Sequence, residues 1–128
     1  MPLRDPEPGW LVYYQGSDLP EGYEYIGEIT AIHRDGLQEE MLLTVEFPAA
    51  DGLRHAQDIL AGRATRAYEY NITYLMLDST PPGQHEDVTF RSISVWSALR
   101  RFNRWQLEEH GRPERLNRVI DCQNRSIR

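Results

Sequence analysis

The sequence predicts an α+β protein: a small antiparallel sheet of about four strands with a long amphipathic helix and one or two shorter helices, in the order β-β-β-α-β-α. Three observations carry that expectation. From Val88 to Gly111 (VTFRSISVWSALRRFNRWQLEEHG) apolar residues recur by threes and fours, the period of one helix face. Met41–Phe47 and Tyr68–Asp78 instead alternate by twos, the period of a strand. Asp35-Gly36 stands between two β-prone runs and is the strongest hairpin signal in the chain. An antiparallel sheet with its helices on one face is the economical way to bury these surfaces.

Residues 1–9 hold three prolines and a glycine and read as an extended arm. Trp10–Gln15 is a short β-prone strand, followed by a turn over residues 16–22. Tyr23–Arg34 is a second strand, in which Gly27 marks a bulge or a close backbone contact. Met41–Phe47 is the third, with Met41, Leu43, Val45 and Phe47 on one face, and should pair antiparallel with the second. Pro48 ends it. Asp51 is then expected to cap a helix whose apolar face is Leu53, Ala56, Ile59 and Leu60, stopped by Gly62. Tyr68–Asp78 reads as a central strand, apolar on one face and half-apolar on the other. Residues 79–87 form a loop.

In the long helix the core side is expected to be Ile93, Trp96, Leu99, Phe102 and Leu107, with Val95 beside them. Ser94, Ser97, Arg101, Arg104 and Glu108 fall on the other side, and Trp105 is the one large apolar residue among them. Gly111 and Pro113 form the stop signal. Pro113–Ile120 reads as a short helix with Leu116, Val119 and Ile120 inward, and residues 121–128 as a frayed tail. No repeat or linker divides the chain, so residues 1–128 are expected to be a single domain.

Composition limits the function classes. Apolar residues make up 40% and charged residues 27%, ordinary for a soluble domain and too apolar for disorder. No window reaches ~18 apolar residues, and the N-terminus lacks the basic start and apolar core of a signal peptide. The lone Cys122 fits a reducing compartment, so a cytoplasmic protein without a membrane partner is expected. All 14 basic residues are arginine, which reads as the codon bias of a GC-rich genome. Net charge is −6, unevenly spread: residues 1–90 hold 16 Asp/Glu against 5 Arg, and residues 91–128 hold 9 Arg against 4 Asp/Glu. Such a split can mark an acidic and a basic face meeting different partners, or each other in an oligomer.

No constellation of catalytic or metal-ligating residues emerges. His33, His55, His85 and His110 are scattered, with no His or Cys pair at ligand spacing, so no metal or cofactor is expected. No serine sits in a glycine-flanked elbow and no glycine-rich loop is shaped for phosphate. Leu11-Val12-Tyr13, eleven residues, then Tyr25-Ile26-Gly27 resembles the paired strands of GIY-YIG endonucleases. That resemblance implies a metal-assisted phosphodiester cut, with tyrosines positioning the water, Arg34 as the arginine after the second triplet and Glu69 as the metal-holding carboxylate. The family places a helix after the second triplet, where Glu28–Phe47 here reads as a hairpin.

The expected function is therefore protein binding, as an inhibitor, adaptor or assembly subunit. One candidate surface is acidic and could enter a basic groove of a partner: Glu24, Glu28, Glu39, Glu40 and Glu46 belong to it. The other is the Arg101, Arg104 and Trp105 face of the long helix, since Trp and Arg are the types enriched at binding hot spots. A homodimer is one form this could take. A nucleic-acid partner is not favoured, because carboxylates are set among the helix arginines and the net charge is negative. A degenerate GIY-YIG-like nuclease and a structural oligomer subunit are the alternatives.

Overall fold

The computed structural model describes residue 3 and residues 5–34, 41–76, 84–110 and 117–125. It corrects the predicted fold class. Among the described residues the protein is mostly sheet, with seven antiparallel strands and a single helix: β1 (Leu11–Tyr14), β2 (Ile26–His33), β3 (Leu42–Pro48), β4 (Arg54–Leu60), β5 (Ala64–Met76), β6 (Gln84–Ser92), α1 (Val95–His110) and β7 (Asn117–Asn124). A single 3-10 turn, Ala61–Arg63, joins β4 to β5. The chain divides into two compact units, residues 1–67 and 68–128. Strand β5 serves both, pairing through Ala64–Ala67 with β1 and through Tyr68–Met76 with β6 and β7. Among the described residues no helix is long and apolar enough to cross a membrane.

In the first unit the strand order is β4-β3-β2-β1-β5. The expected antiparallel pairing of β2 with β3 is present, from Glu28↔Glu46 to His33↔Leu42. Alternation turns Val12, Tyr14, Leu43, Val45, Phe47 and Ile59 to one side, where they form the core with Leu19, Ile29, Ala61 and Ala64. The register shifts between Ile29 and Ala31, a bulge that gives β2 one extra residue. That shift lets both Ile29 and Ile32 join the same core. The bulge therefore falls at Thr30, while Gly27 is the point of close backbone approach to β3. The predicted arm is tied in at its end: Gly9 N–H donates to the Ile29 carbonyl at 2.7 Å, and Leu3 packs against the core.

The helix expected after Asp51 is strand β4. Asp51 caps a turn instead, its carboxylate accepting from Leu53 N–H at 3.1 Å, with Gly52 at φ +88°. Ala49 N–H donates to the Leu53 carbonyl and Gly52 N–H to the Ala49 carbonyl, closing a hairpin. Asp51-Gly52 is thus a second Asp-Gly hairpin signal. The open edge of β3 then takes β4 in register from Pro48↔Arg54 to Leu42↔Leu60. Of the four residues assigned to the helix face, only Ile59 is buried. Seven ladder pairs outweigh a weak local helical period.

The second unit has β5 at its centre, flanked by β6 and β7, which bears out its reading as a central strand. The residues Val88–Ser92, assigned to the helix, belong to β6, where Val88 and Phe90 keep the strand period. The helix begins at Val95 behind a reciprocal cap. Ser97 N–H donates to Ser94 Oγ at 3.1 Å and Ser94 N–H to Ser97 Oγ at 3.2 Å. The short helix expected over 113–120 and the frayed tail from 121 are corrected together: residues 117–124 are β7, with Val119 and Cys122 toward the helix. The Asp35-Gly36 turn and the Gly111–Pro113 stop signal lie outside the described residues.

The phase of α1 also differs from expectation. Its buried side is Ala98, Phe102 and Gln106, with Leu99 and Trp105 half-buried beside them. These positions follow one helix face, i, i+4, i+8 with i+1 and i+7. The core of this unit is Ile72, Tyr74 and Phe102, closed by Val88, Phe90, Trp105, Val119 and Cys122. Rings of Tyr74, Phe90 and Trp105 surround Phe102 at centroid distances of 5.3, 6.5 and 5.7 Å. Trp96, placed in the core from sequence, is 74% exposed, and Ile93, Val95 and Leu107 are exposed as well.

Tyr74 gives this core a pH dependence. Its hydroxyl donates to Glu86 Oε2 at 3.1 Å, and burial, then the Glu86 carboxylate, pushes its pKa from 10.0 up to about 12. The native state disfavours the phenolate, so the contribution is whole below pH ~10 and is lost as pH rises through about 12. Denaturant midpoints should fall across that window, and Tyr74→Phe should make the fall shallower. Tyr70, raised in the same sense by burial, leaves a remainder.

Candidate contact surfaces

The two site groups drawn from sequence are placed differently. On α1, Trp105 turns toward the sheet and packs on Tyr74 and Phe90 at 5.7 and 6.3 Å between centroids. Arg101 is tied down, its guanidinium donating to the Arg91 carbonyl. Arg104 is exposed. The three therefore do not make one outward face.

A different stripe does. Trp96, Arg100, Asn103, Arg104 and Leu107 stand at i, i+4, i+7, i+8 and i+11, and all are exposed. At 1.5 Å per residue the stripe is about 16 Å long. It carries a wholly outward indole at one end, Leu107 at 54% exposure at the other, and two guanidiniums between. Among the described residues neither Arg100 nor Arg104 has an ion-pair partner. An indole left in water beside unpaired guanidiniums has the makeup of a binding anchor: a large rigid apolar group for a pocket and cations for carboxylates around it. Sequence reasoning missed Trp96 and Leu107 because it counted both into the core. Counting from Ala98 and Phe102 as the buried positions would have found the stripe.

The acidic group is partly brought together. Glu28 and Glu46 stand directly opposite each other on β2 and β3 and share the outward face of the first unit's sheet. Like charges in that position repel. Arg54 Nη1 lies 3.5 Å from Glu46 Oε2, with both side chains well exposed, so this pair is weak. Ala56 continues the row on β4 opposite Glu46. Glu24 is exposed in the segment before β2, its N–H donating to the Pro48 carbonyl at 2.8 Å. Glu39 and Glu40 lie outside the described residues.

The same outward face holds a short polar chain. Thr44 Oγ1 donates to Asp58 Oδ1 at 2.6 Å and lies 2.9 Å from His33 Nε2. With its proton committed to Asp58, Thr44 accepts from the ring, so His33 Nε2 carries a hydrogen and is not placed to activate this hydroxyl. The chain is a cross-strand brace.

The triplets of the GIY-YIG resemblance do lie on paired strands, Val12 opposite Gly27 and Tyr13 opposite Ile26. After Gly27 the chain continues as strand to His33 and returns as β3 from Leu42, with no helix among the described residues between them. The Tyr25 ring stacks on Tyr14, whose hydroxyl donates to Asp18 at 2.5 Å. That bond raises the Tyr14 pKa and lowers that of Asp18. Arg34 is exposed, and Glu69 belongs to the second unit, 3.4 Å from Arg91 Nε. Among the described residues no group of three His, Cys, Asp or Glu side chains is placed to hold a metal ion. The half-buried Cys122 thiol is pushed to higher pKa by burial and faces the helix. Compared with protein-family models, curated proteins and solved structures, the chain matches none.

Proposed function

We propose that this protein works by binding another protein, as an inhibitor, adaptor or assembly subunit, and that the outward stripe of α1 makes the contact. The observation that carries the reading is Trp96 at 74% exposure, in line with Arg100, Arg104 and Leu107 on a helix whose other side is fully used by its own core. A helix laid against a partner is read through anchors at i, i+4, i+7 and i+11, the spacing of Trp96, Arg100, Asn103 and Leu107. The indole supplies apolar area at low entropic cost and the arginines orient it. The capped N-terminus and the aromatic cluster beneath hold the stripe rigid, which lowers the ordering cost of binding.

The test is a photo-crosslinking amino acid at position 103, in the middle of the stripe, introduced in the native host. Protein adducts are expected, and Trp96→Ala should weaken capture by about 30-fold, the equivalent of roughly 2 kcal/mol for a hot-spot aromatic. Adducts to nucleic acid, or protein adducts indifferent to Trp96→Ala, would overturn the reading.

A further inference from the structure

We infer that the occupant of the α1 stripe is a second copy of this chain, docked by the outward face of its β2–β4 sheet. Arg104 and Arg100 of one copy would sit on Glu28 and Glu46 of the other, with Trp96 over Ala56. The inference rests on the reading of α1 as a protein contact and names the partner for it.

Charge is the first argument. Residues 1–67 hold 12 Asp/Glu against 5 Arg, net −7, and the outward sheet face displays Glu28, Glu46 and Asp58. The stripe itself, Trp96, Arg100, Asn103, Arg104 and Leu107, contains two arginines and no carboxylate. Among the described residues Arg54 is the one cation placed beside these carboxylates, so the sheet face keeps an acidic excess that the stripe's arginines complement.

Spacing is the second. Glu28, Glu46 and Ala56 form one row across adjacent strands, each directly opposite the next. Neighbours in such a row are about 4.8 Å apart. Arg104, Arg100 and Trp96 descend α1 by four residues each, about 6 Å per step. A helix crossing the strands can therefore set one stripe residue over each strand, cation on carboxylate twice and indole over the methyl of Ala56. A larger residue at 56 would fill the place of the ring. Ala56 lies on β4, the strand at the end of the sheet order, where the sheet edge leaves room for an indole.

Energetic need is the third. Glu28 and Glu46 repel across the ladder, and Arg54 reaches only Glu46. Two guanidiniums arriving together would relieve that repulsion and find the ion-pair partners that Arg100 and Arg104 lack among the described residues. The contact uses different surfaces on the two copies, so it is head-to-tail and produces rings or growing chains instead of an isologous dimer.

Sedimentation velocity over a concentration series tests this, on wild type, Arg100→Glu/Arg104→Glu and Glu28→Arg/Glu46→Arg, each alone and in an equimolar mixture of the two variants. Wild type should self-associate at low salt. Association should be at least about tenfold weaker in each variant alone and in 1 M salt, where screening shortens to ~3 Å. The mixture should restore it, because each variant then meets the charge it needs on the other. Circular dichroism and unfolding midpoints check the fold, and the glutamine versions of both variants replace any that unfold. A wild type that stays monomeric, or a mixture that fails to associate, overturns the inference. A monomer that still gives the position-103 adduct to a different protein removes only the second copy as partner and keeps the contact. Loss of the adduct as well removes both. Association appearing only with single-stranded oligothymidylate overturns the inference in favour of nucleic acid.

Discussion

Phe102→Ala is expected to lower the unfolding free energy by roughly 3–5 kcal/mol, the range for deleting a fully buried aromatic. The side chain is 0% exposed and touches the rings of Tyr74, Phe90 and Trp105, so truncation opens a void bounded by three rigid rings. Rings held by two strands and a helix cannot collapse freely into that void, which places the cost high in the range. Trp105→Ala should cost less, about 3 kcal/mol, because that side chain is only half-buried. Trp96→Ala should stay within about 0.5 kcal/mol, as for other exposed positions. Urea unfolding of the three variants gives the order directly. If Trp96→Ala were as damaging as Phe102→Ala, the helix would be rotated about its axis and the proposed contact stripe would be core.

That ordering shows where sequence reasoning works on this chain and where it stops. The helix was legible from its period and length, but its phase was not. The buried side is marked by Ala98 and Gln106 as much as by Phe102, and neither a small residue nor an amide registers as apolar. Ala98 is completely buried, although its single methyl adds little to an apolar count. Gln106 is buried although its Oε1 meets no donor among the described residues. Weighting by hydrophobicity instead chose Ile93 and Trp96, both of which are exposed.

Strands followed the same division. β3 and β5 alternate cleanly because each has neighbours on both sides and a face buried at Leu43, Val45 and Phe47 in β3 and at Tyr70, Ile72 and Tyr74 in β5. β4 and β7 each pair on one side only in the sheet order, and few of their apolar residues are buried, so their sequences lack a clear period. What makes them strands is the unpaired edge of β3 or β5, a long-range condition invisible in a local window. For the candidate surfaces, Arg104, Glu28 and Glu46 were legible as charges. That Glu28 and Glu46 face each other depends on the register of β2 against β3, which local sequence does not state.

Gly27→Ala should destabilise the first unit by about 1–3 kcal/mol, and Gly27→Val by roughly 3 kcal/mol or more. A methyl group at position 27 would meet Val45 Cγ1 at 2.7 Å and Phe47 Cδ1 at 2.9 Å, and would press on the Glu46 carbonyl oxygen closer still. Val45 and Phe47 are both completely buried in the first unit's core, so moving either displaces close-packed neighbours. The carbonyl belongs to the β3 backbone, so relief requires β2 and β3 to part at the Glu28↔Glu46 rung. Replacing glycine in a strand ordinarily gains about 0.5–1 kcal/mol. Here that gain only trims the overpacking cost, and the larger valine loses it entirely. Phe47→Leu opens space on the same side, so it should be less costly in the Gly27→Ala background than in wild type. Chemical denaturation of the four proteins in that cycle measures the coupling. Gly27→Ala with wild-type stability and no coupling to position 47 would mean that β3 does not approach so closely. The glycine would then need another explanation, and the Glu28–Glu46 row proposed to receive Arg104 and Arg100 would lose its geometric basis.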